Sequence, residues 1–253
     1  MRLRFALFFL VAATTAHADW TIVSSASEPG RGGVVHRHIV LENTAGAERS
    51  TMDLALFSTK SCTLRVLQNE GGTDGLAEMM RREKCLAGVN GGYFDEKLAP
   101  IGLRLANGQT VAPLRRAQLI TGVLFASARG VQIVRSREFS RRAGITEAIQ
   151  CGPFLVDRGQ PIGGLNGSRS TRRTFAATTN SSRALVGVCS DVSLAELSKM
   201  LATTSFAEGL RIERALNLDG GSSTGFWFAR ENGSVFSISE QKPVRDFVGI
   251  VPK

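Results

Sequence analysis

Apolar residues in this chain recur in short runs that are separated by glycine, asparagine, serine or proline. Runs of four to eight apolar or alternating residues, bounded by turn-forming residues, are typical of β-strands. Residues 34–41 (Val-Val-His-Arg-His-Ile-Val-Leu) are one example. The pattern predicts strands at residues 20–25, 34–41, 52–57, 63–67, 86–89, 103–105, 119–125, 131–134, 154–156, 173–178, 184–189, 214–218, 225–228 and 235–238.

Two segments, residues 76–83 and 194–201, have a helical pattern instead. Ser193 precedes the second one, and Glu196 three residues later completes a capping box. Turn signals occur at Asn107-Gly108 and at residues 180–182. Few helices and many short strands predict an α+β fold, with a few helices packed on a strand-rich mixed sheet. Residues 19–253 contain no linker or repeat and are expected to form a single domain.

The first 18 residues have the features of a signal peptide. Arg2 and Arg4 precede an apolar stretch at residues 5–13, and Ala16 and Ala18 are the small residues that a signal peptidase reads. We expect cleavage after Ala18 and a periplasmic or secreted mature protein. No later apolar run approaches the roughly 18 residues that a membrane-spanning helix needs.

The chain is basic, with a formal net charge of +9. Removal of residues 1–18 takes away two arginines and no acids, which leaves +7 over 235 residues. The arginines are scattered and lack the aromatic interleaving of nucleic-acid-binding segments, so no nucleic-acid partner is expected. A positive field around an exported protein favours the binding of anionic glycans or sugar phosphates.

Four cysteines in an oxidising compartment predict two disulfides. Three pairings are possible, and Cys62–Cys85 with Cys151–Cys189 is favoured because sequence-local loops close at lower entropic cost. A catalytic thiol at Cys151 is the alternative. It is disfavoured because a nucleophilic cysteine usually needs a histidine partner, and such partners are scarce in this chain.

Histidine scarcity also excludes other chemistry. Residues 221–225 match the G-x-S-x-G nucleophile elbow, but in those hydrolases the catalytic histidine follows the serine, and no histidine lies beyond His38. His36 and His38 are two apart on a predicted strand and therefore face the same side. A zinc site built on them would need further ligands that the sequence does not mark. We predict no metal and no cofactor.

Two glycine-rich turns carry the candidate chemistry. Residues 217–223 (Asn-Leu-Asp-Gly-Gly-Ser-Ser) place one carboxylate at the end of an apolar run, and residues 90–95 (Asn-Gly-Gly-Tyr-Phe-Asp) follow another run. Such a strand delivers a polar side chain to a turn that leaves backbone N–H groups free to meet an anion. Each segment is also compatible with a simple tight turn between strands, and Asp95 is expected to have a turn or capping role.

Five ordered blocks of the sequence resemble those of the phosphodiester glycosidase family, which includes the uncovering enzyme of the lysosomal pathway. The blocks are residues 90–95, 100–103 (Pro-Ile-Gly-Leu), 152–156 (Gly-Pro-Phe-Leu-Val), 172–174 (Arg-Arg-Thr) and 217–223. The resemblance covers roughly residues 86–253. It departs from the family pattern at Cys151 and Phe175, where smaller residues are usual. It implies hydrolysis of a sugar that is linked through its anomeric oxygen to a phosphodiester, which leaves a phosphomonoester.

The chemistry of this reaction suggests roles for individual residues. Most glycosidases need two carboxyl groups, whereas a phosphodiester leaves readily, so one carboxylate can suffice. Asp219 is the expected nucleophile or general base at the anomeric carbon, and the Arg173 guanidinium is expected to hold the phosphate. Asn90 is expected to bind a sugar hydroxyl or to orient Asp219. The other expected substrate-binding residues are Gly91, Gly92, Thr174, Gly220, Gly221 and Ser222.

Two other functions use the same features. One is a noncatalytic exported module that binds anionic cell-envelope glycans, which the basic charge also favours. The other is a diesterase that attacks phosphorus instead of carbon. Labelled water distinguishes attack at carbon from attack at phosphorus.

Overall fold

A computed structural model describes residues 20–44 and 48–253, so the expected signal peptide lies outside the described residues. The described chain contains two α-helices, α1 (Leu76–Arg82) and α2 (Leu194–Thr203). Neither is long and apolar enough to cross a membrane. The strands are β1 (Trp20–Pro29), β2 (Val35–Asn43), β3 (Arg49–Ser58), β4 (Cys62–Gln68), β5 (Ala87–Asn90), β6 (Arg104–Ala106), β7 (Gln109–Ala112), β8 (Gly122–Ser127), β9 (Gly130–Arg135), β10 (Glu147–Cys151), β11 (Phe154–Asp157), β12 (Gln160–Pro161), β13 (Thr171–Thr179), β14 (Arg183–Val192), β15 (Ile212–Asn217), β16 (Phe226–Ala229), β17 (Val235–Ile238) and β18 (Asp246–Pro252).

These strands form three sheets. The first has eight strands in the order β1-β2-β3-β14-β13-β15-β11-β12, the second has the order β7-β6-β10-β8-β9, and the third has the order β17-β16-β5-β18-β4. Every ladder between these strands is antiparallel. The strand-rich expectation is confirmed, whereas the expected mixed sheet is replaced by three antiparallel ones. Short turns join many neighbouring strands, and parallel pairing would have required long crossovers.

Alternation along β3 sends its side chains to apolar cores on the two faces of the eight-stranded sheet, because successive side chains point to opposite faces of a sheet. Ala55 on β3 lies in a core shared by all three sheets, together with Val89 on β5 and Leu124 on β8. Leu54, its neighbour on β3, faces the other side of the eight-stranded sheet, where α2 packs through Leu197. The first core is what holds the three sheets together.

The predicted local signals at turns and caps are confirmed. Asn107 and Gly108 have positive φ angles of 49° and 78° at the β6–β7 turn, a conformation that asparagine and glycine tolerate best. At α2, the Ser193 hydroxyl accepts from the Glu196 amide at 3.2 Å, and the Ser193 amide donates to the Glu196 carboxylate at 2.9 Å. This reciprocal pair is the predicted capping box.

The expected disulfides are absent, since all four cysteines are free and buried. Cys62 and Cys151 line the core between the sheets, Cys85 lies in the core beside α1, and Cys189 lies in the core beneath α2. The two cysteines of each expected pair therefore lie in different cores. Burial raises the pKa of Cys85, Cys151 and Cys189 to about 12, which keeps these thiols protonated and weakly reactive.

Candidate active site

The two glycine-rich turns meet in space. β5 ends at Asn90 in one sheet and β15 ends at Asn217 in another, and the segments that follow them are hydrogen-bonded to each other. The Asp219 amide donates to the Gly91 carbonyl at 3.0 Å. The Asn90 side-chain amide donates to the Asp219 carbonyl at 2.7 Å. The sequence therefore brings both turns to one place, at the ends of strands from two sheets.

Asn90 fixes the backbone around this meeting point. Its side chain is only 1% exposed, and its Oδ1 accepts from the Thr174 hydroxyl at 2.7 Å and from the Gly225 amide at 3.1 Å. One buried side chain thus ties together β5, β13 and the turn after β15. Such a fully bonded buried amide orients the segments that it joins. The geometry agrees with the expectation that Asn90 orients Asp219, and it places Thr174 behind Asn90.

The Asp219 carboxyl lies half-buried at the centre of this arrangement. Its Oδ1 accepts from the Gly220 amide at 3.0 Å. Burial raises the pKa of Asp219, and the nearby negative charge of Asp246 also raises it. The Ser223 hydroxyl, the positive charge of Lys242 and the Gly220 amide lower it. Asp219 is therefore a carboxylate withdrawn from water, with its charge supported by a small set of local donors.

Gly91 and Gly92 have a packing role. Their amides donate to the backbone carbonyl and to the side chain of Asp246, at 2.8 and 2.9 Å. A Cβ atom on Gly91 would collide with Asp246, and one on Gly92 would collide with the Arg104 guanidinium. These amides are already occupied, so they support the site from beneath rather than face a ligand.

The turn after Asp219 is different, because it leaves donors unused. Gly221 has a φ of +64°, the left-handed region that favours glycine, and it begins a short 3-10 turn with Ser222 and Ser223. The amides of Gly221 and Ser222 donate to no group among the described residues. The expectation that this turn offers free N–H groups to an anion therefore agrees with its geometry.

Buried polar atoms without a hydrogen-bond partner also gather around this turn. Among the described residues they include Asn217 Oδ1 and Thr224 Oγ1, just before and just after the turn in the chain. The Ser223 hydroxyl also has no hydrogen-bond partner among these residues, although it lowers the pKa of Asp219. Such atoms are uncommon in folded proteins and each needs an explanation. A polar ligand bound beside Asp219 would provide one.

Arg173 is a buried guanidinium without a carboxylate partner among the described residues. Only 8% of the residue is exposed. Its Nε donates to the Val192 carbonyl at 2.9 Å and its Nη2 to the Arg169 carbonyl at 2.6 Å. Burial lowers the pKa of Arg173, and the charge of Arg169 lowers it further. An uncompensated cation held by two carbonyls, with Nη1 unused, is suited to binding an anion.

The Tyr93 hydroxyl joins the block at residues 152–156 to the block at residues 217–223. It donates to the Gly152 carbonyl at 2.6 Å and accepts from the Asn217 side-chain amide at 3.0 Å. Burial raises the pKa of Tyr93, and the charges of both Asp219 and Arg173 act on it. The blocks at residues 90–95, 152–156, 172–174 and 217–223 are thus brought together.

The sequence analysis missed Lys242, which lies in the loop between β17 and β18. The Gln241 amide donates to the Ser222 carbonyl at 2.7 Å, which ties this loop to the Asp219 turn. The Lys242 ammonium lies 5.1 Å from the centre of the Phe94 ring, and its charge lowers the pKa of Asp219. The Lys-Pro-Val-Arg-Asp run at residues 242–246 was a possible signal, but nothing in it specifies contact with residues 90–94.

The histidines of β2 and Asp95 have structural roles outside the candidate site. His36 and His38 lie on one face of β2, as predicted, and both bind Asp53 Oδ1, at 2.8 and 3.0 Å. His36 also stacks on Phe236. The described residues contain no group of metal ligands. Asp95 accepts from two amides in its own turn, which confirms its predicted turn role.

A sequence model of the phosphodiester glycosidase family matches residues 83–251, which include every block of the candidate site. The chain belongs to this family. Membership confirms the resemblance that the ordered blocks carry. The matched region includes the β17–β18 loop and most of β18, where the sequence analysis identified no motif.

The individual proteins that match this chain are distant from it in sequence. An uncharacterized protein, YigE of Escherichia coli K12, is 33% identical over 91 residues, which is 33% of this chain and 36% of that protein. The catalytic domain of zebrafish N-acetylglucosamine-1-phosphodiester alpha-N-acetylglucosaminidase, auto-inhibited by its pro-peptide, has a TM-score of 0.60 at 13% identity, over 96% of this chain and 86% of that one. A hypothetical protein from Synechocystis has a TM-score of 0.58 at 13% identity, over 87% of this chain and 62% of that one. At these identities the structural likenesses establish a shared fold.

Proposed function

We propose that this chain is an exported hydrolase that releases a sugar from a sugar-1-phosphodiester, with Asp219 acting at the anomeric carbon and Arg173 holding the phosphate. The observation that carries the proposal is the environment of Asp219. Its carboxyl is half-buried at the junction of two turns, beside the Gly221 and Ser222 amides, which have no hydrogen-bond partner among the described residues. Family membership supports the same class of substrate.

In the proposed reaction, Asp219 either attacks the anomeric carbon or takes a proton from the attacking water. The bond between the anomeric carbon and the phosphate oxygen breaks, and its electron pair leaves with the phosphomonoester. If Asp219 attacks, water then hydrolyses the glycosyl–Asp219 ester and frees the carboxylate. In either case the hydroxyl group of water ends on the sugar and its proton is released to solvent. A phosphate carries the departing charge well, so a second carboxylic acid is not needed to protonate the leaving group.

The surroundings of Asp219 suit either role. Burial makes its carboxylate more basic than that of a free aspartate, which favours proton removal and attack on carbon. Lys242 and Ser223 act in the opposite direction and favour the ionised form. The free amides of Gly221 and Ser222 and the unpaired Arg173 are suited to the charge that develops on the departing phosphate.

The proposal is tested with the purified protein and a panel of sugar-1-phosphodiesters in isotopically labelled water, with and without a chelator. We expect turnover, with the label in the released sugar and no effect of the chelator. Label in the phosphate would mean attack at phosphorus and would overturn the assignment of Asp219 to carbon. If the whole panel bound without turnover, a noncatalytic glycan-binding function would replace the proposal.

Arg173→Lys should raise KM for phosphodiester substrates and lower kcat/KM by about 10- to 100-fold, the size of a lost charge-assisted hydrogen bond. Lysine keeps the charge but carries all its donors on one nitrogen, which cannot replace the separate Nε and Nη2 donors to the Val192 and Arg169 carbonyls. Arg183→Lys, at an exposed position at the start of β14, is the matched control. Unchanged steady-state kinetics in Arg173→Lys would remove its proposed role.

Lys242→Met should shift the acid limb of the pH profile of kcat/KM to higher pH. Lys242 lowers the pKa of Asp219, so loss of its charge raises that pKa, and Asp219 becomes ionised only at higher pH. Lys242→Arg keeps the charge and should leave the limb near its wild-type position. Lys199→Met, an exposed position on α2, controls for a general change in charge. An unshifted limb in Lys242→Met would contradict this coupling.

A further inference from the structure

Residues 113–119 (Pro-Leu-Arg-Arg-Ala-Gln-Leu) form an exposed segment between β7 and β8. The buried side chain of Gln150 holds it at Arg115 and at Ile120, the residue that follows the segment. Gln150 Nε2 donates to the Arg115 carbonyl at 2.6 Å and to the Ile120 carbonyl at 3.0 Å, and its Oε1 accepts from the Arg115 amide at 3.0 Å. The backbone of the segment is therefore fixed at Arg115 and Ile120, while all seven of its residues are exposed.

Large apolar side chains on and beside this segment are exposed. Leu119 is 72% exposed and Leu114 is 41% exposed. Ile101, which is 40% exposed, lies nearby, because the adjacent Gly102 packs against Ile120. Single exposed apolar residues are ordinary, but two leucines on one held segment with an exposed isoleucine nearby are typical of a binding surface.

The same surface is strongly cationic. A cavity of about 580 Å³ between this segment and residues 135–139 is lined by Arg115, Arg116, Arg135 and Arg137, and no acidic residue lines it. Arg135 is neutralised by Asp157 at 2.8 Å. Among the described residues, the other three arginines form no ion pair. The surface thus combines exposed hydrocarbon with three uncompensated charges, and the ligand complementary to it is an anionic amphiphile.

The segment also borders the candidate active site. The Leu119 carbonyl packs so closely on Gly152 that a Cβ atom on this glycine would collide with it. The Gly152 carbonyl in turn accepts a hydrogen bond from the Tyr93 hydroxyl. A ligand surface covering Leu119 would therefore lie next to the Tyr93 side of the site.

We propose that residues 113–119, together with Ile101 and Arg137, form a docking surface for an anionic phospholipid bilayer. Leu114 and Leu119 would enter the boundary between headgroups and acyl chains, while the three arginines bind lipid phosphates. Docking in this way places the candidate site beside the bilayer surface. Docking on a bilayer requires no turnover, so its test is independent of the proposed hydrolysis.

The experiment uses Leu119→Cys in the full chain, labelled with an environment-sensitive fluorophore. Because the four native thiols are buried, the introduced thiol is the accessible one. Vesicles of phosphatidylglycerol and phosphatidylcholine should blue-shift the emission, and vesicles of phosphatidylcholine alone should not. Replacement of Arg115, Arg116 and Arg137 by glutamine should weaken vesicle binding by about 100-fold, since each arginine near an anionic surface contributes roughly a factor of five.

The matched control is the same fluorophore on Glu208→Cys, an exposed position in the loop after α2. It reports any attachment through another part of the chain, including the apolar stretch at residues 5–13. A shift confined to position 119 supports the proposal. An absent shift, an equal shift at both positions, or an equal response to both kinds of vesicle overturns it.

Discussion

Asp219→Asn should lower kcat on a sugar-1-phosphodiester by about 10²- to 10⁴-fold, the usual contribution of a positioned acid or base. Asparagine has nearly the same shape as aspartate, and its carbonyl oxygen can still accept from the Gly220 amide. The turn is therefore kept while the charge that attacks carbon or activates water is lost. Steady-state assays of the purified variant give the measurement, and near-wild-type turnover in a folded variant would contradict the assignment.

The same substitution should not lower stability at neutral pH. Burial raises the pKa of Asp219 in the folded state above its unfolded value of about 3.9, so the ionised carboxylate opposes folding when the pH exceeds the folded pKa. Asparagine removes this unfavourable contribution to folding. The resulting gain in the free energy of unfolding, relative to aspartate, should shrink as the pH falls through the folded pKa. Thermal unfolding at pH 7 and at pH 4 measures this. Asp191→Asn, at an exposed position on β14, should change neither activity nor stability.

Much of the fold was predictable because its signals are local. Every predicted strand and both helices have a counterpart in the structure. The missed strands are β7, β10, β12 and β18, which are short, polar or close to the end of the chain. β18 had a usable signal in the apolar run at residues 247–251. The sheet arrangement was less predictable, because the pairing of β5 with both β16 and β18 depends on contacts distant in sequence.

The residues of the candidate site were also predictable only in part. The positions of Asn90, Arg173 and Asp219 were predictable because each lies in an ordered family block. The involvement of Lys242 and Asp246 was not, because both reach the site through a loop and a strand that lie about 150 residues beyond Asn90 in the chain. The disulfide expectation was wrong for a related reason, since loop-closure entropy cannot tell which core each cysteine enters.

Asp246→Ala should destabilise the protein by roughly 3–5 kcal/mol, the cost of leaving one partner of a buried ion pair alone. Asp246 and Arg104 are both fully buried, with Arg104 Nε donating to Asp246 Oδ2 at 2.7 Å. The other Arg104 nitrogens donate to the carbonyls of Tyr93, Leu103 and Gln150, so the guanidinium cannot turn towards water. Denaturant unfolding gives the change in the free energy of unfolding.

The substitution should also disturb the candidate site, because the Gly92 amide donates to Asp246 Oδ1 and would lose its acceptor. Asp246→Asn keeps an oxygen for this amide but loses the charge, so it should retain more activity than Asp246→Ala. Asp74→Ala breaks the more exposed pair of Asp74 with Arg82 and should have a much smaller effect on stability. If Asp246→Ala cost no more than Asp74→Ala, the Arg104–Asp246 pair would not be what holds the glycine turn beneath Asp219.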